Sequence, residues 1–133
     1  MGSSIGISHG IKKTTGQKLI TFIGDSTFFH AGIPALINTV FNKSNPLIII
    51  LENQTTAMTG HQPHPGSPAQ GEGIKIEDIV RACGVKNLKI IDQIDVNEMK
   101  KTVKEFLENK EVSVIIARRL CWLLSQKRQH KPI

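Results

Sequence analysis

Leu19-Ile20-Thr21-Phe22-Ile23-Gly24-Asp25-Ser26-Thr27 and Leu47-Ile48-Ile49-Ile50-Leu51-Glu52-Asn53-Gln54-Thr55-Thr56 are the stretches whose reading decides the fold. Each is a short apolar run, Leu19–Ile23 or Leu47–Leu51, closed by a polar cluster. Between them Ile33, Leu36, Ile37, Val40 and Phe41 fall at i, i+3, i+4, i+7 and i+8, the stripe of a helix with one buried face. Pro34 is tolerated in the first turn, where its missing N–H costs little. Pro46 closes the helix by disfavouring helical geometry in the residue before it. Strand, helix, strand at this length is a right-handed βαβ unit. Leu47–Leu51 is aliphatic throughout, as in parallel strands covered on both faces.

Working outward, Ser3 or Ser4 can cap a short helix running towards Lys13. Gly2, Gly6 and Gly10 recur every fourth residue, so that one helix face admits close approach of a backbone or a ligand. Tight helix–sheet packing accounts for the stripe equally well. Ser26 or Thr27 can cap the helix that follows Gly24-Asp25. Asn53–Gly73 has no periodicity and holds three prolines and four glycines with Thr55, Thr56, Thr59, His61, Gln62 and His64; it reads as a functional loop. Beyond it, Ile76, Ile79, Val80 and Cys83 mark a helix ended by Gly84, with Cys83 as a core residue. Leu88–Ile91 is a third strand. Val96, Met99, Val103, Phe106 and Leu107 mark another helix, with Asp95 or Asn97 at its start, and Val112–Ala117 is a fourth strand. The alternation predicts a three-layer α/β fold, a mostly parallel, doubly wound sheet with helices on both faces.

The bulk numbers set limits. A chain of 133 residues holds one domain with a real core, and five Phe, one Trp and no Tyr leave that core to Ile, Val and Leu. No run is long enough to span a bilayer, and Met1–Gly10 lacks the layout of a secretory signal, so no membrane partner is expected and a cytoplasmic location is the default. Cys83 and Cys121 stand far apart without a second ligand at metal spacing, which argues against a disulfide framework or a zinc site. The formal charge is +6, and Arg118, Arg119, Lys127, Arg128 and Lys131 gather near the C-terminus with no acid among them. Without interleaved aromatics, this reads as a solvated tail rather than a nucleic-acid site. The expected division is one domain over 1–119 and a basic tail or linker over 120–133.

The chemistry gathers at the two strand ends. Adjacent parallel strands would bring Asp25 and Asn53 to one edge of the sheet, where ligands of open α/β sheets bind. A carboxylate, an amide oxygen and a loop carbonyl form a hard oxygen set that suits Mg²⁺, which prefers few protein ligands with phosphate oxygens and water. Ser26, Thr27 and the amides of the helix start can donate to a phosphate. The site therefore reads as metal plus diphosphate. Taken singly, an Asp here is as ordinary as a helix cap and an Asn as a turn former; the joint occurrence carries the reading.

Gly24-Asp25-Ser26 and Glu52-Asn53 resemble the thiamine diphosphate-binding signature Gly-Asp-Gly, helix, strand, Asn-Asn, with Ser26 in place of the second Gly and Glu52 in place of the first Asn. More closely, Gly24–His30, Thr55–Gly66 and Met1–Gly6 resemble the alpha subunit of indolepyruvate ferredoxin oxidoreductases, over most of residues 1–119. The resemblance implies a thiamine diphosphate-binding fold, incomplete at its N-terminus. It implies Mg²⁺ held by the side chains of Asp25 and Asn53 and the backbone carbonyl of Thr55. The cofactor-binding set is Gly24, Asp25, Ser26, Thr27, Asn53, Thr55 and Thr56. His61 and His64 are the candidate catalytic residues, ahead of His30, although each can equally order its loop.

By the same resemblance, the activity is oxidative decarboxylation of an indolepyruvate-like 2-oxo acid to an acyl-CoA, with electrons passed to ferredoxin. The implied partners are a pyrimidine-binding domain and a ferredoxin-like module of the full subunit, a beta subunit, ferredoxin and coenzyme A, in a homo- or hetero-oligomer. Iron–sulfur clusters need cysteines in ferredoxin spacing, which this sequence lacks, so they belong to the missing part or to a partner. A fragment inactive on its own is expected. Two other readings stay open: a module of another thiamine diphosphate enzyme, of decarboxylase or acetolactate synthase type, or a non-enzymatic phosphate-binding α/β interaction domain.

Overall fold

A computed structural model describes residues 1–68 and 71–129. In chain order the elements are α1 (Ser3–Thr15), β1 (Ile20–Gly24), α2 (Asp25–Thr27), a π-helical segment (Phe28–Gly32), α3 (Ile33–Phe41), β2 (Leu47–Glu52), a 3₁₀ turn (Ala57–Thr59), α4 (Ile76–Ala82), β3 (Asn87–Asp92), α5 (Val96–Glu108), β4 (Ser113–Arg118) and α6 (Trp122–Gln129). Four parallel strands form one sheet in the order β1-β2-β4-β3. The three-layer α/β expectation holds.

The two-faced apolar run of β2 is explained by what lies on each side. Ile48 and Ile50 join Ile23, Val114 and Ile116 on one face, beneath Ile5 of α1, Phe28, Leu36 of α3, and Ile76 and Val80 of α4. Leu47 and Ile49 join Ile91, Ile115 and Ala117 on the other face, beneath Phe106 of α5 with Met99, Val103 and Leu107. Each fully buried aliphatic side chain here contributes about 1.5–3 kcal/mol of burial free energy. The β1–β2 register pairs Gly24 with Leu51, and β2–β4 pairs Glu52 with Arg118. All four C-terminal strand ends therefore reach the same edge.

Two capping expectations are corrected. Gly2, not Ser3 or Ser4, stands at the start of α1, with a left-handed φ of 82° and no side-chain cap. A Cβ on Gly2 would lie 2.5 Å from that of Ala31, so the close approach of α1 to the π-helical segment excludes any side chain there. Gly6 and Gly10 face open space instead. Likewise neither Ser26 nor Thr27 caps the second helix. It starts directly at Asp25, whose own Oδ1 accepts the Ser26 N–H at 2.8 Å.

Arg118 and Arg119, the first two cations of the C-terminal basic group, stand ahead of the 120–133 segment. Arg118 pairs with Glu52 and Glu77, and Arg119 with Asp92, so these two cations are matched by acids brought in from other elements. Trp122–Gln129, which includes Lys127 and Arg128, is helical, and Lys131 lies outside the described residues. Among the described residues no helix is long and apolar enough to cross a membrane.

Candidate cofactor site

Gly24 ends β1 and the chain turns at once into helix, which aims the Asp25 side chain across to the end of β2. There its Oδ2 accepts the backbone N–H groups of Asn53 at 2.9 Å and Gln54 at 2.7 Å. Asp25 is 2% exposed, and no Lys or Arg pairs with it among the described residues. A buried carboxylate costs several kcal/mol of lost hydration unless its charge is met. Three backbone N–H groups answer part of that cost. Among the described residues Oδ1 accepts only the Ser26 N–H, which leaves a lone pair for a further donor or a cation.

The loop after β2 closes over this carboxylate by its own hydrogen bonds. Gln54 takes a left-handed φ of 63°, which reverses the chain. Asn53 Oδ1 accepts the Thr55 N–H at 3.0 Å, and Thr56 pairs with Gln62 in a short antiparallel bridge. Ser67 Oγ donates to the Gln54 carbonyl at 2.8 Å and accepts the His64 N–H at 3.1 Å. Thr56 Oγ1 donates to Ser26 Oγ at 2.9 Å, tying the loop to the helix start. A stretch without periodicity is thus ordered by side-chain-to-backbone bonds.

His64 is buried beneath this loop, its ring centre 5.6 Å from that of Phe29. Its Nδ1 accepts the Gly66 N–H at 3.1 Å, which places the ring proton on Nε2. That nitrogen lies 3.1 Å from Asp25 Oδ2, yet its N–H is not aligned on the oxygen and makes no hydrogen bond. The Asp25 pocket therefore holds an under-satisfied buried donor beside an under-neutralised buried acid.

Of the residues expected at the site, Asp25, Ser26, Asn53, Thr55, Thr56 and His64 come together. Gly24 and Thr27 line a neighbouring cavity of about 270 Å³ with Met1, Gly2, Ser3 and Ser4 at the start of α1. His61 turns away, its Nε2 3.7 Å from Cys121 Sγ. His30 Nδ1 is bonded to the Ser26 carbonyl at 2.6 Å.

The sequence reading missed the ionic group behind Asn53. Arg118 Nε donates to Glu52 Oε2 at 2.6 Å and its NH2 group donates to Glu77, joining β2, β4 and α4. Burial pushes the Glu52 carboxyl up, opposed by Arg118. Glu77 also loses hydration, but its bonds to Arg118 prevail and hold it below the usual carboxylate range. Opposite charges at equivalent ends of two neighbouring strands were the signal available in the sequence.

The donor set at Asp25 fits a magnesium ion. Among the described residues no three His, Cys, Asp or Glu side chains cluster as a metal cage. One carboxylate with neutral oxygens is the sparse arrangement that Mg²⁺ accepts when phosphate and water complete its shell. Asn53 Oδ1, which accepts the Thr55 N–H, and the Thr55 carbonyl are neutral oxygens of the loop whose Asn53 and Gln54 amides bond to Asp25.

Comparison with known proteins adds independent findings. The family model for the thiamine pyrophosphate enzyme, C-terminal TPP binding domain, matches residues 1–117. The indolepyruvate oxidoreductase subunit IorA of Methanothermobacter thermautotrophicus is 48% identical over the whole chain, and that of Archaeoglobus fulgidus is 44% identical over 98% of it. The chain spans 22% of the length of either relative. In fold, the chain is similar to the 2-oxoglutarate:ferredoxin oxidoreductase of Magnetococcus marinus, with a TM-score of 0.80 at 14% identity, covering 90% of this chain and 45% of that one.

Proposed function

Since the chain belongs to the thiamine pyrophosphate enzyme family through its C-terminal TPP-binding domain, we propose that it is the Mg²⁺–thiamine diphosphate module of a 2-oxo-acid:ferredoxin oxidoreductase acting on indolepyruvate or a related aryl pyruvate. The observation that carries this reading is the buried Asp25 carboxylate, bonded across to the amides of Asn53 and Gln54 and paired with no Lys or Arg among the described residues. Asp25, Asn53 and the Thr55 carbonyl would hold the metal. Gly24, Ser26, Thr27, Thr56 and the amides at the helix start would receive the diphosphate. The cofactor, when bound, supplies the electron sink for decarboxylation of a 2-oxo acid.

The chain's own residues then have defined tasks. Asp25 orients the β2 loop through two amides. The Thr56–Ser26 bond closes the loop over the helix start. His64 and Phe29 fill the space behind and keep water from the carboxylate. In this reading His64, whose Nε2 lies 3.1 Å from Asp25 Oδ2, would be the histidine that exchanges a proton, and His61 would serve its loop. Acyl transfer to coenzyme A, electron transfer through iron–sulfur clusters to ferredoxin, a pyrimidine-binding domain, a beta subunit, assembly as an oligomer and a cytoplasmic setting belong to the same proposal. Turnover by this chain alone is not expected.

Calorimetric titration with thiamine diphosphate, with and without Mg²⁺, tests the reading. Binding that needs the metal and is lost in Asp25→Ala supports it. Equal binding with and without metal would overturn it.

A further inference from the structure

We propose that Cys121 and His61 form a two-ligand site for a thiophilic divalent cation of the Zn²⁺ type, which clips the loop after β2 to the segment leaving β4. The site is separate from the Asp25 carboxylate, and it does not depend on which cofactor that carboxylate serves.

Sequence spacing hides the pair. Cys121 and His61 stand 60 positions apart, so neither has a second ligand close by in the chain. The parallel sheet brings them together. β4 lies beside β2, and Glu52 pairs with Arg118 at their shared edge. Past that edge the two chains continue side by side. The Arg119 N–H donates to the Glu52 carbonyl at 2.9 Å, and the Cys121 N–H to the Asn53 carbonyl at 3.1 Å. Cys121 is thus fixed at the root of the loop, and its own carbonyl accepts the Ser125 N–H at 3.0 Å where α6 begins. His61 reaches the same place from further along the loop. Thr56 and Gln62 form the antiparallel bridge, and the His61 N–H donates to the Thr56 carbonyl at 3.0 Å. His61 holds a left-handed φ of 63°, a conformation that few residue types other than glycine adopt readily.

Cys121 Sγ and His61 Nε2 lie 3.7 Å apart. A tetrahedral zinc ion, with Zn–S of about 2.3 Å and Zn–N of about 2.0–2.1 Å, separates two such donors by about 3.6 Å. The pair therefore has the bite of a metal site without moving. Thiolate and imidazole favour zinc, whereas carboxylate and carbonyl oxygens favour magnesium. The oxygen set at Asp25 and the sulfur–nitrogen pair would then sort two metals by ligand chemistry. Both side chains are half-buried, so solvent reaches them. Among the described residues no third His, Cys, Asp or Glu joins them. Two protein ligands leave two tetrahedral positions to water, whereas structural zinc sites fill all four. The thiol proton passes to water as the sulfur binds.

The position gives such an ion a task. The span from Asn53 to His61 carries Thr55 and Thr56, and Thr56 Oγ1 donates to Ser26 Oγ at 2.9 Å. Cys121 already holds the root of this span through Asn53. A metal shared with His61 holds its far end as well, so the span is pinned to the sheet edge reversibly.

The test labels the unaltered chain briefly with a thiol reagent, with and without Zn²⁺, and reads Cys83 and Cys121 by peptide mapping. Zn²⁺ should slow Cys121 by about tenfold or more, because a metal-bound thiolate is withdrawn from reaction. Cys83, packed against the core, should keep its rate. Mg²⁺ at the same concentration should slow neither. Calorimetry then gives the Zn²⁺ affinity of Cys121→Ser and of His61→Asn, the latter chosen because Asn also accepts a left-handed backbone. Each should lose about tenfold or more, and Cys83→Ala should lose nothing. Limited proteolysis within residues 53–73 reads the clip: Zn²⁺ should slow cutting by about threefold or more in the parent and in neither variant. Unchanged labelling of Cys121, or equal protection by Mg²⁺, overturns the proposal. So does a loss in Cys121→Ser with none in His61→Asn, since the thiol then binds without the imidazole. Zinc bound at the pair without slower cutting would overturn the clip. The labelling needs no substitution, so it decides the site even where a variant fails to fold.

Discussion

The Asp25 carboxylate and the Asn53 backbone amide, 28 positions apart in the chain, are joined by a 2.9 Å hydrogen bond. This bond couples the end of β1 to the start of the loop that closes the site. It also means that Asp25 has a structural task before any ligand arrives.

Asp25→Ala should therefore cost stability in the absence of cofactor. Three backbone N–H groups would lose their acceptor, two of them at the β2 end. Water entering the vacated space offsets part of the loss, leaving about 2–4 kcal/mol. Urea unfolding of the two proteins measures it. An unchanged midpoint would mean that the carboxylate does not hold the loop.

Arg118→Met should destabilise by about 2 kcal/mol, less than for a fully buried pair because Arg118 keeps about a third of its surface in water. The deficit should depend on pH with a definite sign. The Glu52 carboxyl is held above its ordinary 4.5 in the folded state, so its contribution is present below that pH and is lost as pH rises through the folded value. Removing Arg118 deepens that loss. Glu77, held below 4.5, contributes above its unfolded value and loses this as pH falls; without Arg118 the contribution disappears. Both effects make the deficit of the variant grow from pH 4 to pH 7. A deficit flat across that range would contradict the assignment.

Gly73→Ala should loosen the loop. A Cβ there would lie 2.6 Å from the carbonyl carbon and oxygen of Gly66, which are backbone atoms with nowhere to go. About 1–3 kcal/mol of strain is expected, relieved by detaching the segment around Gly66. Limited proteolysis should then cut within residues 53–73 faster than in the parent. An unchanged rate would mean that the two glycines do not set the closure.

Cys83 should react with a thiol reagent more slowly than Cys121 at pH 8. Burial pushes the Cys83 thiol up, which lowers its thiolate fraction. Peptide mapping after brief labelling reads the order, and faster labelling of Cys83 would count against its packing beside α4.

Much of the scaffold was legible in the sequence, because the signals for β1, β2 and α3 are periodic and local. The pairing of Asp25 with the Asn53 region followed from two parallel strands ending at one edge. What was not legible depends on contacts distant in sequence. The π-helical segment Phe28–Gly32 leaves no mark in apolar spacing. The loop 53–68 is held by hydroxyl-to-carbonyl bonds such as Ser67 to Gln54, which no periodicity announces. Arg118 reads as part of a basic run until β4 is placed beside β2, when Glu52 becomes its neighbour. His61 and His64 look alike in sequence, yet His61, at a left-handed φ of 63°, lies against Cys121 while His64 reaches Asp25.

The most direct measurement is isothermal titration of the chain with thiamine diphosphate at saturating Mg²⁺, repeated with EDTA and with Asp25→Asn, which keeps the side chain's size and removes its charge. The expected result is binding with Mg²⁺, and a loss of about 100-fold or more both with EDTA and in the variant, equivalent to about 2.7 kcal/mol. Binding in which EDTA and Asp25→Asn leave the affinity unchanged would contradict the claim that Asp25 anchors a metal-bridged diphosphate.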